Sequence, residues 1–424
     1  MPAKRPASPP GVWGRLRILE LADPKVHLCG KLFADYGADV TLIEPPGGCE
    51  SRGIGPFVND KPDTNKSLFF WQYNTSKKSV TLDLKTKGGR EAFKALAAKA
   101  DLLIEGTEPG YLKSIGLDYA ALSAVNPRLI MVAITPFGQT GPYAHWKTTE
   151  LVSMAMGGPM DNCGYDPPIP PIRPGDFQAW HTGCNYAYIA ATAALLWREQ
   201  HGTGDYLDCS IHDALCCTTE SSLHYYLYGK KRVYRGKGRY ATIYPVPSNT
   251  YRCSDNGYLY MMPGIGSGVY MYQDMKKLWQ TWLDWLEPDG LAEDLKDPRY
   301  WDPVERETDA YLIDQRIREF CALHPAQWVF DGAQKRGLIC GRIMAPHHLL
   351  QDPHYQANKF FTPVRHKELG RTVLYPGAPF SMPATPWRIS RRPPLVGEHT
   401  LEVLGRELRY DRTRIAKLRT SGAV

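Results

Sequence analysis

The chain has 424 residues, 43% of them apolar and 22% charged, the make-up of an ordinary globular protein long enough for two domains. No apolar run approaches the ~20 residues of a membrane span, so no transmembrane helix is expected. Lys and Arg exceed Asp and Glu by 51 − 44 = 7, but residues 1–20 carry four basic and one acidic residue and residues 405–424 carry six and two; the interior is neutral, which argues against a nucleic-acid surface.

Residues 1–11 are polar and Pro-rich, without the apolar centre of a signal peptide, and read as a mobile tail on a cytoplasmic protein. Arg17-Ile-Leu-Glu-Leu is a short strand. Gly30 to Tyr36 follows as a helix, and Gly37 to Glu44 as a turn and second strand, making a βαβ unit of a parallel sheet. Ser79 to Leu84 reads as a third strand, Gly89 to Ala100 as an amphipathic helix, Ala100 to Glu105 as a fourth strand and Leu129 to Ile134 as a fifth. The fold class is therefore α/β. Ligands of such sheets bind beyond the carboxyl ends of the strands. Here those ends carry Glu44-Pro-Pro-Gly-Gly, Glu105-Gly-Thr-Glu-Pro-Gly and Thr135-Pro-Phe-Gly-Gln-Thr-Gly-Pro. None is a G-x-G-x-x-G turn, and no P-loop, HExxH or G-x-S-x-G motif occurs. The glycine-rich stretches Gly236–Gly238 and Gly264–Gly268 are not set between a strand and a helix. The ten cysteines include no CxxC pair, so neither a zinc nor a redox site is expected.

One stretch stands out, Pro171-Ile-Arg-Pro-Gly-Asp176-Phe-Gln-Ala-Trp-His. Asp176 follows Pro174-Gly175, a pair able to form a tight turn. It precedes Ala187 to Trp197, apolar nearly all round and read as a buried helix. Local chemistry allows two roles for this carboxylate, a helix N-cap or a group aimed into a site. From about residue 225 the chain changes character. A hairpin is expected around Ser254–Gly257, then helices near 270–288, 308–323 and 326–336. The organisation read from this is a tail at 1–11, the N-terminal part of a large domain at 12–224, a smaller α+β domain at 225–345, and a linker with a basic C-terminal segment at 346–424.

Several stretches, in order, resemble family III CoA-transferases of the formyl-CoA and carnitine type. They are Phe33 to Glu44, Asn74 to Leu84, Ala100 to Glu105 with Pro109-Gly110, and Ile115 to Tyr119. Asn126 to Ile130, Phe137 to Tyr143, Arg198 to Asp208 and Pro394 to Thr400 complete the set. The resemblance implies a Rossmann-like large domain to which the C-terminal segment returns, and two chains threaded as interlocked rings. It implies Asp176 as catalytic nucleophile, forming an anhydride and then an aspartyl-CoA thioester. Lys77, Lys147 and Arg52 would contact coenzyme A, which comes and goes as acyl-CoA substrate; no permanent cofactor and no metal is implied. The partners expected are acyl-CoA, a small organic acid and a second chain, a homodimer or a heterodimer with a paralogue. The Asp176-Phe-Gln-Ala-Trp-His setting is similar to members acting on larger, aromatic or branched acids.

There are departures from the family's pattern. Lys25-Val26-His27 replaces a small Ala-Gly-Pro segment, Ser114 (with Lys113 beside it) stands where an arginine is common, and only Gly236–Gly238 could shield the aspartate. Two alternatives share the resemblance: an acyl-CoA racemase, and a CoA-binding subunit of a two-chain transferase. The racemase branch carries a histidine before an acidic residue where this chain has Thr149-Glu150. His145 and His181 are the nearby histidines, and threonine does not exchange protons near neutral pH.

Overall fold

The computed structural model describes residues 11–424 apart from 166–167, 220–221, 237–238, 243–246 and 265–273. Residues 1–10 of the expected tail, Lys237-Gly238 and 265–268 thus lie outside the described residues. The chain divides into two compact units. The first takes the chain up to Gly157, then Gly175–Thr218 and Pro353–Val424; the second is Gly158–Pro174 and Thr219–Asp352. The sequence reading had kept 158–174 with the first. Among the described residues no helix is long and apolar enough to cross a membrane.

The first unit is built on six strands: β1 (Arg17–Leu21), β2 (Asp39–Glu44), β3 (Lys78–Thr81), β4 (Leu102–Glu105), β5 (Ile130–Thr135) and β6 (Tyr206–Ser210). They form one parallel sheet in the order β3-β2-β1-β4-β5-β6. β4 and β5 are buried along their whole length, as befits central strands covered on both faces. Helix α1 (His27–Asp35) leads back to β2 through Gly37, whose φ of 104° a residue with a Cβ rarely adopts. Helices α2 (Leu68–Tyr73) and α3 (Lys87–Ala97) start on the side chains of Ser67 and Thr86, which accept from Phe70 N and Gly89 N.

One face of the sheet packs Phe93 and Leu96 of α3 with Leu103 and Met131. Val403, Leu404 and Ile415, from the helices Thr400–Arg406 and Arg412–Thr420, complete the cluster. The C-terminal segment therefore supplies core to the first unit. On the other face lies the long α5 (Gln178–His201), preceded in the chain by α4 (Glu150–Met156). Ala187, Ala191, Ala194 and Leu195 are buried. The expectation of a fully buried helix fails on the opposite stripe: Ile189 is 62% exposed, Leu196 64% and Trp197 53%. An apolar helix packed from one side only leaves its other side uncovered in a single chain.

The second unit holds an antiparallel sheet of Thr250–Arg252, Tyr258–Met262 and Ile339–Arg342. Its hairpin turns at Asn256, in the left-handed region at φ 62°, with Asp255 Oδ1 accepting from Gly257 N at 3.0 Å. Helices Met275–Leu286, Ala310–Leu323 and Ala326–Lys335 bring Trp279, Trp282, Trp285 and Phe320 into its core. All three fall where the apolar spacing put them.

The end of β2 is held by a buried ion pair. Arg52 Nε and Nη2 donate to the two Glu44 oxygens at 2.7 and 2.8 Å. The other N–H groups reach Thr64 O, Asn65 Oδ1 and, at 3.1 Å, Pro394 O of the returning C-terminal segment. Burial by itself raises the Glu44 carboxyl, but the hydrogen bonds and charge of Arg52, with Ser79 and Cys49 N–H, outweigh it and hold it below the usual range. We expect Arg52→Ala to cost about 3–5 kcal/mol, because it strands a buried carboxylate. The sign with pH follows from the lowered carboxyl. Its contribution is complete above the unfolded glutamate value, ~4.3, and is lost as pH falls through the folded one. Urea denaturation of wild type and Arg52→Ala at neutral and acid pH checks this: the gap between them should narrow in acid.

Candidate active site

The carboxyl edge of the sheet is rich in acids, and most are spent within the protein. Glu20, fully buried in β1, accepts from Lys77 Nζ at 2.9 Å and faces His27 Nδ1 at 2.6 Å. Lys77 Nζ also donates to His27 O at 2.8 Å and Asn74 Oδ1 at 2.9 Å, so its three N–H groups have three acceptors. His27 Nε2 meets Ser51 Oγ at 2.7 Å, and burial pushes the imidazole below its ordinary value despite Glu20. Glu105, at the end of β4, accepts from Thr107 N and Oγ1 at 2.7 and 2.6 Å; burial nevertheless keeps its carboxyl raised.

Asp176 sits differently. It is exposed, one residue before the N-cap of α5, with φ at 61°. The left-handed conformation falls on the aspartate itself and not on Gly175, and aspartate is one of the few residues that tolerates it. Nor does Asp176 occupy the N-cap position of the helix. The N-cap is Phe177, which contributes no side-chain cap, and the open N–H groups of Ala179 and Trp180 go to Glu150 Oε1 and Oε2 at 2.7 and 3.1 Å. A buried carboxylate from α4 thus meets the positive end of the α5 dipole. The N-cap reading of Asp176 falls, because another residue fills that place. Thr149, one position earlier, caps α4 by accepting from Val152 N at 3.4 Å.

Beside Asp176 is a narrow crevice of about 180 Å³, counting its open mouth. Phe69 and Phe177 meet edge to face at 4.8 Å, and Phe177 stacks on Trp180 at 4.8 Å. Tyr73 Oη lies 2.7 Å from His181 Nε2, and Cys184 Sγ donates to Lys25 O at 3.0 Å. Burial, with the Asp176 charge second, pushes the Tyr73 phenol up to about 12. Burial lowers His181, and the Asp176 charge partly restores it.

The residues singled out from the sequence are not brought together. Lys77 and Arg52 are both buried, and every N–H they carry is committed, so neither can reach a phosphate without abandoning a buried carboxylate. Lys147 is exposed and pairs with Glu108. Ser114 Oγ turns back to Tyr111 O at 2.7 Å. In the Lys25-Val26-His27 departure, Lys25 pairs with Asp23 at 2.6 Å while His27 becomes part of the buried Glu20–Lys77 cluster. His145 is exposed. Sequence reasoning missed Glu150 as the cap and Tyr73 as the partner of His181. An acid 26 positions before the aspartate carries no local signal; only the Thr149-Glu150 dipeptide drew attention to it, for another reason.

An open parallel sheet with an exposed carboxylate held at the start of a helix, beside a crevice, has the parts of a covalent group-transfer enzyme. The comparisons with known proteins name the class. The sequence model of CoA-transferase family III matches residues 17–400, and the chain belongs to that family. It is therefore a CoA-transferase, and CoA thioesters are its substrates. It is similar to the BbsE subunit of succinyl-CoA:(R)-benzylsuccinate CoA-transferase from Thauera aromatica, 31% identical over 420 residues, covering 97% of this chain and 98% of the relative. It is also similar to the succinyl-CoA–D-citramalate CoA-transferase of Chloroflexus aurantiacus, 30% identical over 403 residues, covering 93% and 94%. Among solved structures, a CAIB/BAIF family protein from Brucella suis superposes with a TM-score of 0.81 at 26% identity, covering 94% of this chain and all of that one.

Removing the Glu150 cap should therefore act on Asp176. With Glu150→Ala the α5 N-terminus loses its acceptor, at about 0.5–2 kcal/mol in stability, and competes for the nearest carboxylate. We expect a fall in kcat larger than any change in KM, with Glu150→Gln retaining more of both. Thermal melts and steady-state kinetics on the two variants check it.

Proposed function

We propose that this chain moves coenzyme A between dicarboxylic acids, with Asp176 as the covalent nucleophile. The observation that carries the reading is an exposed aspartate in the left-handed conformation, directly before Phe177, which lines the crevice. The substrate class is supported by the names of the relatives, since succinate, benzylsuccinate and citramalate are all dicarboxylic acids.

The steps follow from carboxylate and thioester chemistry. Asp176 attacks the thioester carbonyl of the donor, the C–S bond breaks, and CoA leaves as thiolate, giving a mixed anhydride. The thiolate then attacks the Asp176 carbonyl, releases the donor acid and forms the aspartyl-CoA thioester. The acceptor carboxylate attacks that thioester and expels the thiolate again. The thiolate finally takes the acceptor carbonyl and regenerates Asp176. Each addition puts charge on an oxygen, which needs N–H donors around it. Lys147 would meet a CoA phosphate by exchanging it for Glu108. Lys77 and Arg52 would serve indirectly, Lys77 by holding Asn74 and Arg52 by holding Glu44.

A carboxylate is a poor nucleophile in water, so the site has to be closed. Asp176 is exposed in a single chain, and α5 leaves Ile189, Leu196 and Trp197 uncovered. In the second unit, Tyr226 and Tyr228 of helix Ser222–Gly229 are likewise exposed, at 57% and 86%. Apolar surface of this kind supports a second chain, in the interlocked arrangement expected for the family. That chain is either an identical copy or, as for a relative named as a subunit, a different one.

Asp176→Ala should abolish CoA transfer, a loss of at least about 10³-fold, while leaving the far-UV spectrum unchanged. Wild type treated with succinyl-CoA and then hydroxylamine should carry the label on Asp176. A label mapped elsewhere, or an active alanine variant, would sink the assignment. Sedimentation should show a dimer that survives dilution. No turnover by the purified chain, restored by a second polypeptide, would select the two-chain form.

A further inference from the structure

We propose that the crevice beside Asp176 is the subsite for the non-reacting carboxylate of a dicarboxylic substrate, recognised by the hydrogen-bonded Tyr73–His181 pair. This rests on the transferase reading of Asp176 and adds the residues that choose the acid.

Size decides first between two occupants. The walls are aromatic, which suggests a pocket for a ring. Yet Phe69, Phe177 and Trp180 are packed on one another, and the space left holds little more than one water-sized group. A phenyl ring does not enter; a carboxylate oxygen does. Any ring on the acceptor then lies outside, toward the open mouth.

Charge decides next. A carboxylate between apolar walls needs a counter-charge or strong donors. The titratable groups facing the pair are Asp176, Glu150 and Cys184. Glu150 is bound to the start of α5, and burial pushes the Cys184 thiol up to about 12, so it stays neutral. His181 is the one lining side chain that can gain a positive charge near neutral pH. In the free enzyme the crevice adjoins the Asp176 anion, which repels a second carboxylate. Once Asp176 is acylated that charge is gone, and the substrate anion takes its place beside the imidazole.

The hydrogen bond gives the proton a route. With the imidazole neutral and its proton on Nδ1, Tyr73 Oη–H donates to Nε2. When a proton from solvent binds Nε2, the bond reverses: Nε2–H donates to Tyr73 Oη, and the phenol proton turns to the carboxylate oxygen. One proton is taken up, none is lost, and Tyr73 remains a phenol. The sign follows from the lowered imidazole. A bound anion raises His181, so affinity is greatest at low pH and falls as pH rises through the raised value.

Asp176→Asn supplies the neutral state without chemistry, and calorimetry in buffers of different ionisation enthalpy reads the proton. Succinate should bind this full-length variant with proton uptake at pH 7–8, whereas butyramide, which carries no carboxylate, should bind at least about tenfold more weakly and without uptake. Adding His181→Gln, which can keep a hydrogen bond to Tyr73 but not the charge, should cost succinate about tenfold and remove both the uptake and the pH dependence. Adding Tyr73→Phe should weaken succinate while leaving the uptake, and it serves as the second variant if the glutamine protein fails to fold by circular dichroism. Equal binding of succinate and butyramide, an unaltered succinate affinity in the His181→Gln protein, or phenylacetate binding more tightly than succinate would each overturn the subsite. An unlabelled Asp176 in wild type would instead defeat the nucleophile, a result the calorimetry does not depend on.

Discussion

The buried Arg52–Glu44 pair is the contact on which the first unit depends. A guanidinium with five N–H groups joins the end of β2, the Thr64-Asn65 loop and Pro394, the last 342 positions from Arg52 in sequence. Its cation also lies 3.8 Å from the centre of the Phe70 ring, which ties α2 to the same point. Desolvating two ions is costly, and the geometry repays it only because every donor finds an acceptor. The returning C-terminal segment is thereby fixed at the edge where ligands of parallel sheets bind.

The same logic recurs along that edge. Glu20 is matched by Lys77 and His27, Glu44 by Arg52, Glu105 by Thr107 and Glu150 by two helix N–H groups. Each is buried. Asp176 is exposed, set before the helix in a backbone conformation that its neighbours do not share. A reactive carboxylate set among carboxylates needs the others neutralised, since like charges nearby would raise its pKa and compete for its cations. Lys77 and Arg52 neutralise Glu20 and Glu44 in this way.

Helix α5 joins the crevice to an uncovered apolar stripe. Its first turn carries Phe177, Trp180 and His181 at the crevice, its middle packs small residues on the sheet, and its outer stripe stays apolar and uncovered. The small residues let the helix lie close to β5, and the resulting rigidity is what positions the aspartate just before it.

Much of this was legible in the residues alone. Strands β1, β2, β4 and β5 are short apolar runs closed by Gly, Pro or an acid, and hydrophobic spacing is sufficient for them because both faces are buried. The Trp-rich helices of the second unit declare themselves by the same periodicity. β6 did not, since Tyr206-Leu-Asp-Cys-Ser mixes polar with apolar and becomes a strand only by pairing with β5. Asp176 could be picked out by its setting, and the ordered motifs placed the chain in its family. What the sequence could not decide is who pairs with whom. Lys77 and Arg52 read as cofactor contacts, and nothing in their local sequence announces their buried partners Glu20 and Glu44. By local chemistry Asp176 also read as a cap, whereas the acceptor at the start of α5 is Glu150, 26 residues earlier. Local pattern determines which segments become helix or strand; the partners of charged groups are set by distances across the folded chain, and those distances exist only once the sheet has assembled.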